Sequence, residues 1–209
     1  MANMNEFMNL PTTSITDALG SKNYMDMSIK PLKEDWHLAG PAYPVQISAG
    51  ENISVLEAIY HAKPGDVLVI NGEGGTKNAF AGDFIIGLAK SRGLNGVVAD
   101  GVIRDIIGIK ELDLPVFCLG TTTAASKKNK IGEINRPIVC GGVQVNPGDI
   151  VVGDADGVVV IPKGQQEEIL NRTKQRIKDD EEREKKVGTE KESVEAYLKK
   201  VIELHREKG

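Results

Sequence analysis

Apolar residues along this chain fall into two spacings, and the switches between them mark the elements. The first helical signal begins near Ser14, where Ser14 and Asp17 stand at capping-box spacing with a shorter acid than usual. Residues 21–40 show no period and are punctuated by Pro31, Gly40 and Pro41, which predicts irregular chain. Residues 41–47 read as a strand. Ser54 and Glu57 repeat the capping-box spacing around an apolar face of Val55, Leu56 and Ile59, which predicts a helix over 53–62. Pro64-Gly65-Asp66 is a turn, and 67–70 is an unbroken apolar run of the kind found in strands buried on both faces. Gly72-Glu73-Gly74-Gly75 then reads as a loop, either a tight turn or a place where backbone approaches a ligand closely. Phe84, Ile85, Leu88 and Ala89 predict a helix over 82–92 that Gly93 ends. Residues 96–99 form a second buried strand, Asp100-Gly101 a turn, Arg104-Asp105 the start of a helix to Leu112, and 115–119 a third strand.

That alternation of strands and helices predicts an α/β layered fold. From 137 to 162 the texture changes to short apolar segments around Asn146-Pro147-Gly148-Asp149 and Asp154-Ala155-Asp156-Gly157, which predicts a β-meander or part of a barrel. Residues 163–209 are dense in both charge signs. There Thr189 and Glu192 are placed to cap a last helix with an apolar stripe of Val194, Tyr197, Leu198, Val201 and Ile202. Such a stripe serves either as the packed face of a solvated extension or as a dock on a neighbouring subunit. The chain therefore divides into a catalytic-sized domain, 1–162, and a charged helical C-terminal extension, 163–209.

Composition narrows the function. Forty per cent apolar residues in a 209-residue chain support a real core. A net charge of −4 lacks the basic footprint of a nucleic-acid binder. No run reaches the ~18 apolar residues of a membrane span, and the N-terminus has no leader-like pattern. Cys118 and Cys140 sit in apolar or glycine-flanked segments, as reduced thiols do, so a cytoplasmic protein is expected. His37, His61 and His205 are scattered, which speaks against a zinc site.

The candidate chemistry lies between Asp83 and Asp105. Asp83 is followed by twenty residues and then Arg104-Asp105. Two carboxylates supply hard oxygen ligands for a divalent cation, and a guanidinium offers a planar fork to a carboxylate. Taken singly, each has an ordinary explanation as a helix-end acid or a surface arginine. Taken together, they fall at the ends of adjacent strands, where α/β sheets bind ligands. A helix beginning near Gly82 also aims the N–H groups of Phe84 and Ile85 at an anion.

These segments carry a resemblance. PGDVLVI (64–70), GG (74–75), GD (82–83), GVVADGVIRD (96–105), PVF and GTT (115–117, 120–122) and GGVQVNPGDIVVGDADGVVVIP (141–162) resemble the RraA-like family. Its catalytic members are class II pyruvate aldolases acting on 4-hydroxy-4-methyl-2-oxoglutarate and 4-carboxy-4-hydroxy-2-oxoadipate. Its other members are non-catalytic regulators of a ribonuclease, which lack the full acid set kept here. The resemblance covers about 13–162 and implies a layered α/β sandwich with a central mixed sheet or barrel-like β core. It implies Mg²⁺ or Mn²⁺ held by Asp105 directly and by Asp83 through water. It implies the pyruvate end of a keto-acid substrate on Arg104, with its carboxylate on the N–H groups of Phe84 and Ile85 beside Gly82. It further implies a homotrimer or hexamer in which an acid from a neighbour's tail, Asp180 or Glu181, approaches the metal. The expected reaction is cleavage of a 4-hydroxy-2-oxo acid to pyruvate, with decarboxylation of oxaloacetate alongside, since both pass through pyruvate enolate. The alternative is an oligomeric regulator without catalysis. A Schiff-base aldolase built on Lys77 is disfavoured, because an imine lysine needs a desolvated pocket. Tyr24, His61 and the glycine loop are further candidates for the distal half of the substrate, and Lys127 and Arg136 for other anion contacts.

Overall fold

The structure is a computed structural model and describes residues 4–206. Its helices and strands begin with α1 (Met4–Phe7), α2 (Thr12–Ala18), β1 (Lys30–Pro31), β2 (Leu38–Gln46), α3 (Ile53–His61), β3 (Val67–Gly75), α4 (Asp83–Ser91), β4 (Gly96–Ile103) and α5 (Ile106–Leu112). They continue with β5 (Val116–Cys118), β6 (Gly120–Thr121), β7 (Glu133–Ile134), β8 (Ile138–Cys140), β9 (Val143–Val145), β10 (Ile150–Asp154), β11 (Gly157–Ile161), α6 (Gln166–Val187) and α7 (Lys191–Arg206).

The central sheet runs β1-β5-β4-β3-β2-β10-β11, with β6 beside β4 and β7 beside β2. β2 to β5 are parallel, and β1, β10 and β11 join antiparallel. Side chains alternate along each strand, as a period of two requires. Val67 and Val69 of β3, Val98 of β4, Phe117 of β5 and Val151 of β10 face one interior. Leu68, Ile70, Val97, Ala99 and Val116 face the other way, onto Val55, Ile59, Ile86 and Ile109 of α3, α4 and α5. Further round, Ile150, Val152, Val159 and Ile161 pack on Ile15 of α2 and on Ile169 and Leu170 of α6.

The sheet nearly closes. Met25 N donates to Val158 O at 2.8 Å, Val160 N donates to Asn23 O at 2.9 Å, and Lys30 pairs with Cys118. The segment before β1 therefore spans from the β11 edge to the β5 edge. The β8–β9 hairpin plugs the interior with Ile138, Cys140, Val143 and Val145. Phe117 fills the centre, and Gly153 makes room for it: a Cβ at Gly153 would stand 2.9 Å from the Phe117 ring. This is the layered, barrel-like mixed sheet with C-terminal helices that the resemblance implied.

Several local expectations need correction. α2 starts at Thr12 rather than Ser14, because the buried Asp154 accepts Thr12 N at 2.8 Å and Thr12 Oγ1 at 2.7 Å. Ser54 does not cap α3; it is buried and accepts Gly132 N at 2.8 Å. Gly72 to Gly75 is not a loop, because β3 runs through it and Gly75 pairs with Gly101 past a bulge. Asp100-Gly101 is likewise the middle of β4 and not a turn. For 137–162 the barrel alternative holds and the single meander does not: β10 leaves the β8–β9 hairpin and joins the central sheet beside β2.

At the C-terminus, Ile169, Leu170 and Thr173 bury the first half of α6, helped by Arg176–Asp17 at 3.4 Å. Beyond them the helix leaves the body of the protein. α7 buries none of its residues, and Leu198 and Ile202 of its stripe are about half exposed. Among the described residues no helix is long and apolar enough to cross a membrane.

Candidate active site

Because β3 and β4 are parallel, their carboxyl ends open on one edge of the sheet, where ligands gather in α/β folds. Backbone hydrogen bonds lace three segments together there. Phe80 N donates to Val102 O at 3.0 Å, Arg104 N to Ala81 O at 3.0 Å, and Thr122 N to Ile103 O at 2.9 Å. The start of α4, the end of β4 and the residues around β6 consequently share one rim.

Arg104 and Asp105 meet on that rim, with Nε and Oδ2 at 3.3 Å. Asp105 precedes α5 in a left-handed conformation, φ 61° and ψ 41°, which costs an L-residue about 1 kcal/mol and which Asp tolerates better than most. Its carboxylate lies on Gly82. A Cβ there would stand 2.3 Å from Asp105 Oδ2 and 3.4 Å from Arg104 Nε. The backbone of Gly82 is ordinary extended chain, φ −129° and ψ −171°, so glycine is needed for space and not for conformation. Gly108 of α5 does the same for the second carboxylate: its Cβ would stand 2.8 Å from Asp83 Oδ2. Two glycines thus seat the two acids.

The predicted residues do not all face one space. Arg104 and Asp105 line a cleft of about 500 Å³ that runs past Ile106 and Ile107 to Thr121, Thr122 and Thr123. Asp83 opens with Phe84, Lys90 and Glu111 on an adjoining groove of about 810 Å³, and Gly108 borders both. Asp83, Arg104 and Asp105 all keep contact with solvent. Of the two amides expected to hold an anion, Phe84 N already donates to Asp83 Oδ1 at 2.7 Å. Ile85 lies in the same first turn, while Ile86 N is committed to Gly82 O. Among the described residues no three His, Cys, Asp or Glu side chains gather as a metal-ligand cluster.

Sequence reasoning passed over Gly108 and the three threonines as site residues. The signal for the threonines was the GTT run just after a strand; for Gly108 it was a glycine inside a helix, where it is costly unless something needs the room. The other candidates lie elsewhere. Tyr24 bridges to Val159 and lines a cleft with Asp17 and Asp156. His61 shares a cleft with Tyr43, Lys63 and Asp66, at the amino end of β3. Lys77 is exposed, and its carbonyl accepts the Thr122 hydroxyl. Arg136 is exposed, and Lys127 meets Gly50 and Asn52 through its backbone. Asp180 pairs with Arg183 at 2.7 Å on the outer half of α6. Both cysteines are buried, and burial pushes the Cys118 thiol up to about 11 and the Cys140 thiol up to about 12, which favours the protonated form of each.

The family model described as RraA-like, Aldolase/RraA, matches residues 12–160. The chain belongs to the RraA-like family. It is 51% identical over 197 residues, 94% of either chain, to a protein of Halalkalibacterium halodurans named "Putative 4-hydroxy-4-methyl-2-oxoglutarate aldolase". Its fold is similar to that of RraAS2 of Streptomyces coelicolor, described as an unusual member of the RNase ES inhibitor RraA family. That match has a TM-score of 0.77 at 28% identity and covers 85% of this chain and 94% of the other. It is also similar to a Geobacillus kaustophilus protein described as an S-adenosylmethionine:2-dimethylmenaquinone methyltransferase, with a TM-score of 0.67 at 33% identity. Here 73% of this chain and 94% of the other are covered. RraA-like proteins therefore carry catalytic and regulatory names on one architecture, so the fold alone does not decide what this member does.

Proposed function

We propose that this RraA-like protein is a divalent-metal-dependent lyase that cleaves a 4-hydroxy-2-oxo acid to pyruvate and a second carbonyl compound, with oxaloacetate decarboxylation as a side activity. The observation that carries this reading is the Arg104–Asp105 pair seated on Gly82 at the carboxyl edge of parallel strands. The aldolase-named relative at 51% identity supports it.

The donor set fits a hard cation. Asp105 offers carboxylate oxygen beside a cradle that only glycine leaves open, and Asp83 stands across Gly108. Mg²⁺ and Mn²⁺ take one or two carboxylates and keep several waters, whereas zinc prefers nitrogen and sulfur ligands. When bound, such an ion would supply an electrophile for the negative charge that develops on the 2-oxo oxygen.

The chain's own groups do the rest. The Ile85 N–H, at the positive end of α4, holds the C1 carboxylate. The Arg104 guanidinium neutralises the oxygens of the pyruvate half and fixes their plane. Asp83 positions a water that takes the proton from the C4 hydroxyl. The C3–C4 bond then breaks, its electron pair stays on C3 as pyruvate enolate, and C4 leaves as a carbonyl. The proton returns to C3 to give pyruvate.

Assembly as a homotrimer or hexamer belongs to the same reading and is supported by the uncovered stripe of α7. An acid of the α6 tail, Asp180 or Glu181, would reach a neighbour's site; within its own helix Asp180 pairs with Arg183, an exposed contact that is easily exchanged. The unpaired, buried cysteines support a cytoplasmic enzyme. A second reading, a regulator of ribonuclease activity, is favoured by the likeness to RraAS2. Pyruvate release from 4-hydroxy-2-oxo acids and oxaloacetate, with and without Mg²⁺ or Mn²⁺, separates the two. A flat assay together with ribonuclease inhibition favours the regulator.

A further inference from the structure

Past Thr121, Thr122 and Thr123 the chain stays on the rim of the candidate site and turns basic. Ala79 N donates to Ala124 O at 3.0 Å and Asn78 Nδ2 to Ala125 O at 2.8 Å, so this stretch runs alongside the segment that leads into α4. Lys127, Lys128 and Lys130 follow, and β7 then joins β2 at Val45 and Gln46, the carboxyl end of that strand. The loop between is held from beneath. The buried Glu51 accepts Asn129 N at 2.7 Å and Lys130 N at 3.2 Å. Lys127 N donates to Gly50 O at 2.8 Å, and a Cβ at Gly132 would stand 1.8 Å from Gln46 O. The loop makes these contacts with its backbone, which leaves its ammonium groups to the outside. All three lysines are exposed, and none forms an ion pair among the described residues. Ile131 beside them is 77% exposed, an unusual setting for a large apolar side chain that has no role.

The tail carries the opposite charge. Asp179, Asp180, Glu181 and Glu182 stand in a row on the half of α6 that has left the body. Their partners are neighbours on the same helix: Gln175 for Asp179 at 2.7 Å, Arg183 for Asp180 at 2.7 Å and Lys178 for Glu182 at 4.0 Å. Exposed pairs of this kind are worth little and exchange readily. Within one chain the acids and the lysines do not meet. The ion pairs from α6 to the body are Lys174–Glu6 and Arg176–Asp17, on the side of α1 and α2, and none reaches the loop among the described residues.

We infer that the loop 127–131 is a docking surface for the acidic run of α6 from a second copy of this chain. The inference rests on the assembly part of the proposed function and gives that assembly an interface. The lysines neutralise the acids across the contact, and Ile131 is covered by it. Loop and run are different surfaces, so the contact is heterologous. Each copy gives its tail to the next and receives one, an arrangement that closes as a ring. It also lays the tail acids on the rim where Thr121, Thr122 and Thr123 border Arg104 and Asp105. A nucleic acid is the poorer occupant, because three lysines on a chain of net charge −4 make a small footprint for one.

Charge reversal followed by charge exchange tests this, read by sedimentation velocity of the full chain at low salt. Lys128→Glu/Lys130→Glu should raise the dissociation constant of the assembly at least ~10-fold, and Asp180→Lys/Glu181→Lys should do the same. Lys127 is left in place because its charge helps to hold Glu51 ionised. All four substitutions in one chain should restore assembly to within ~3-fold of wild type, which a folding defect would not do. Wild-type assembly indifferent to both reversals, losses that simply add in the fourfold variant, or a monomeric wild type overturns the inference. Intact assembly with a raised KM for the keto acid in Lys128→Glu/Lys130→Glu overturns it too and gives the lysines to the substrate. Assembly is measured without substrate, so the docking and the lyase chemistry fail separately. A chain that assembles and exchanges charge as expected but releases no pyruvate keeps the docking and loses the lyase.

Discussion

Gly82→Ala is the sharpest single perturbation of the site. The backbone there is extended and fits alanine without strain, so the effect is purely one of space. The new methyl group would stand 2.3 Å from Asp105 Oδ2, with Arg104 Cγ at 3.3 Å. Ordinary van der Waals contact begins at 3.4 Å, so the carboxylate must retreat by roughly 1 Å. Turning one half-exposed side chain off its rotamer costs about 0.5–1.5 kcal/mol, and solvent absorbs part of that. Misplacing a reacting group by about 1 Å costs on the order of 10²-fold in rate, or about 2.7 kcal/mol of barrier. The variant should therefore lose about 10²-fold in kcat/KM for pyruvate release while its urea stability moves by less than ~1.5 kcal/mol. Gly87→Ala on the same helix is the control. Its Cβ would meet nothing nearer than Leu112 at 3.8 Å, so it should keep activity and gain up to ~1 kcal/mol of stability. Wild-type kcat/KM in Gly82→Ala, or a loss explained wholly by unfolding, would refute the reasoning.

Other expectations follow from the same geometry. Gly108→Ala presses on Asp83 Oδ2 and Cβ, at 2.8 and 3.0 Å, and should lower kcat more than it raises KM, as steady-state kinetics will show. Asp154→Ala strands Thr12 N, the Thr12 hydroxyl and Asp156 N, and should cost about 2–3 kcal/mol in urea unfolding with little change in KM. Burial raises the carboxyl of Glu51, but the N–H groups of Asn129 and Lys130 outweigh it and hold the group below its ordinary value of 4.5. A depressed acid contributes stability that is complete above the unfolded value and is lost as pH falls through the folded one. The stability gap between wild type and Glu51→Gln should thus be full at neutral pH and shrink as pH drops below about 4.5. A gap independent of pH contradicts the assignment.

Much of the core was legible in the sequence, as was the spacing that marks the candidate site, and the failures have physical causes. The buried strands were readable because strands covered on both faces must be apolar throughout, as in 67–70 and 96–99. Gly72 and Gly101 misled because glycine serves two purposes. In these strands it permits close approach: a Cβ at Gly72 would lie 2.6 Å from Asp100 O. Ser54 misled because a cap is recognised locally, whereas its hydroxyl is used by Gly132, far along the chain. Asp154 looked like part of a turn and is one, but it also anchors α2 from 142 positions away, which no local pattern records. For the site, the spacing of Asp83 and Arg104-Asp105 was visible. The glycine seats beneath the acids, and the division of the rim into two adjoining clefts, depend on how α4 and α5 pack.

The decisive measurement is pyruvate release from a 4-hydroxy-2-oxo acid by the wild-type protein and by Asp105→Ala, each after EDTA treatment and again after Mg²⁺ or Mn²⁺ is restored. The account predicts turnover by wild type only when metal is returned, and none by the variant in either state. Turnover that survives EDTA, or an Asp105→Ala protein as fast as wild type, would contradict it.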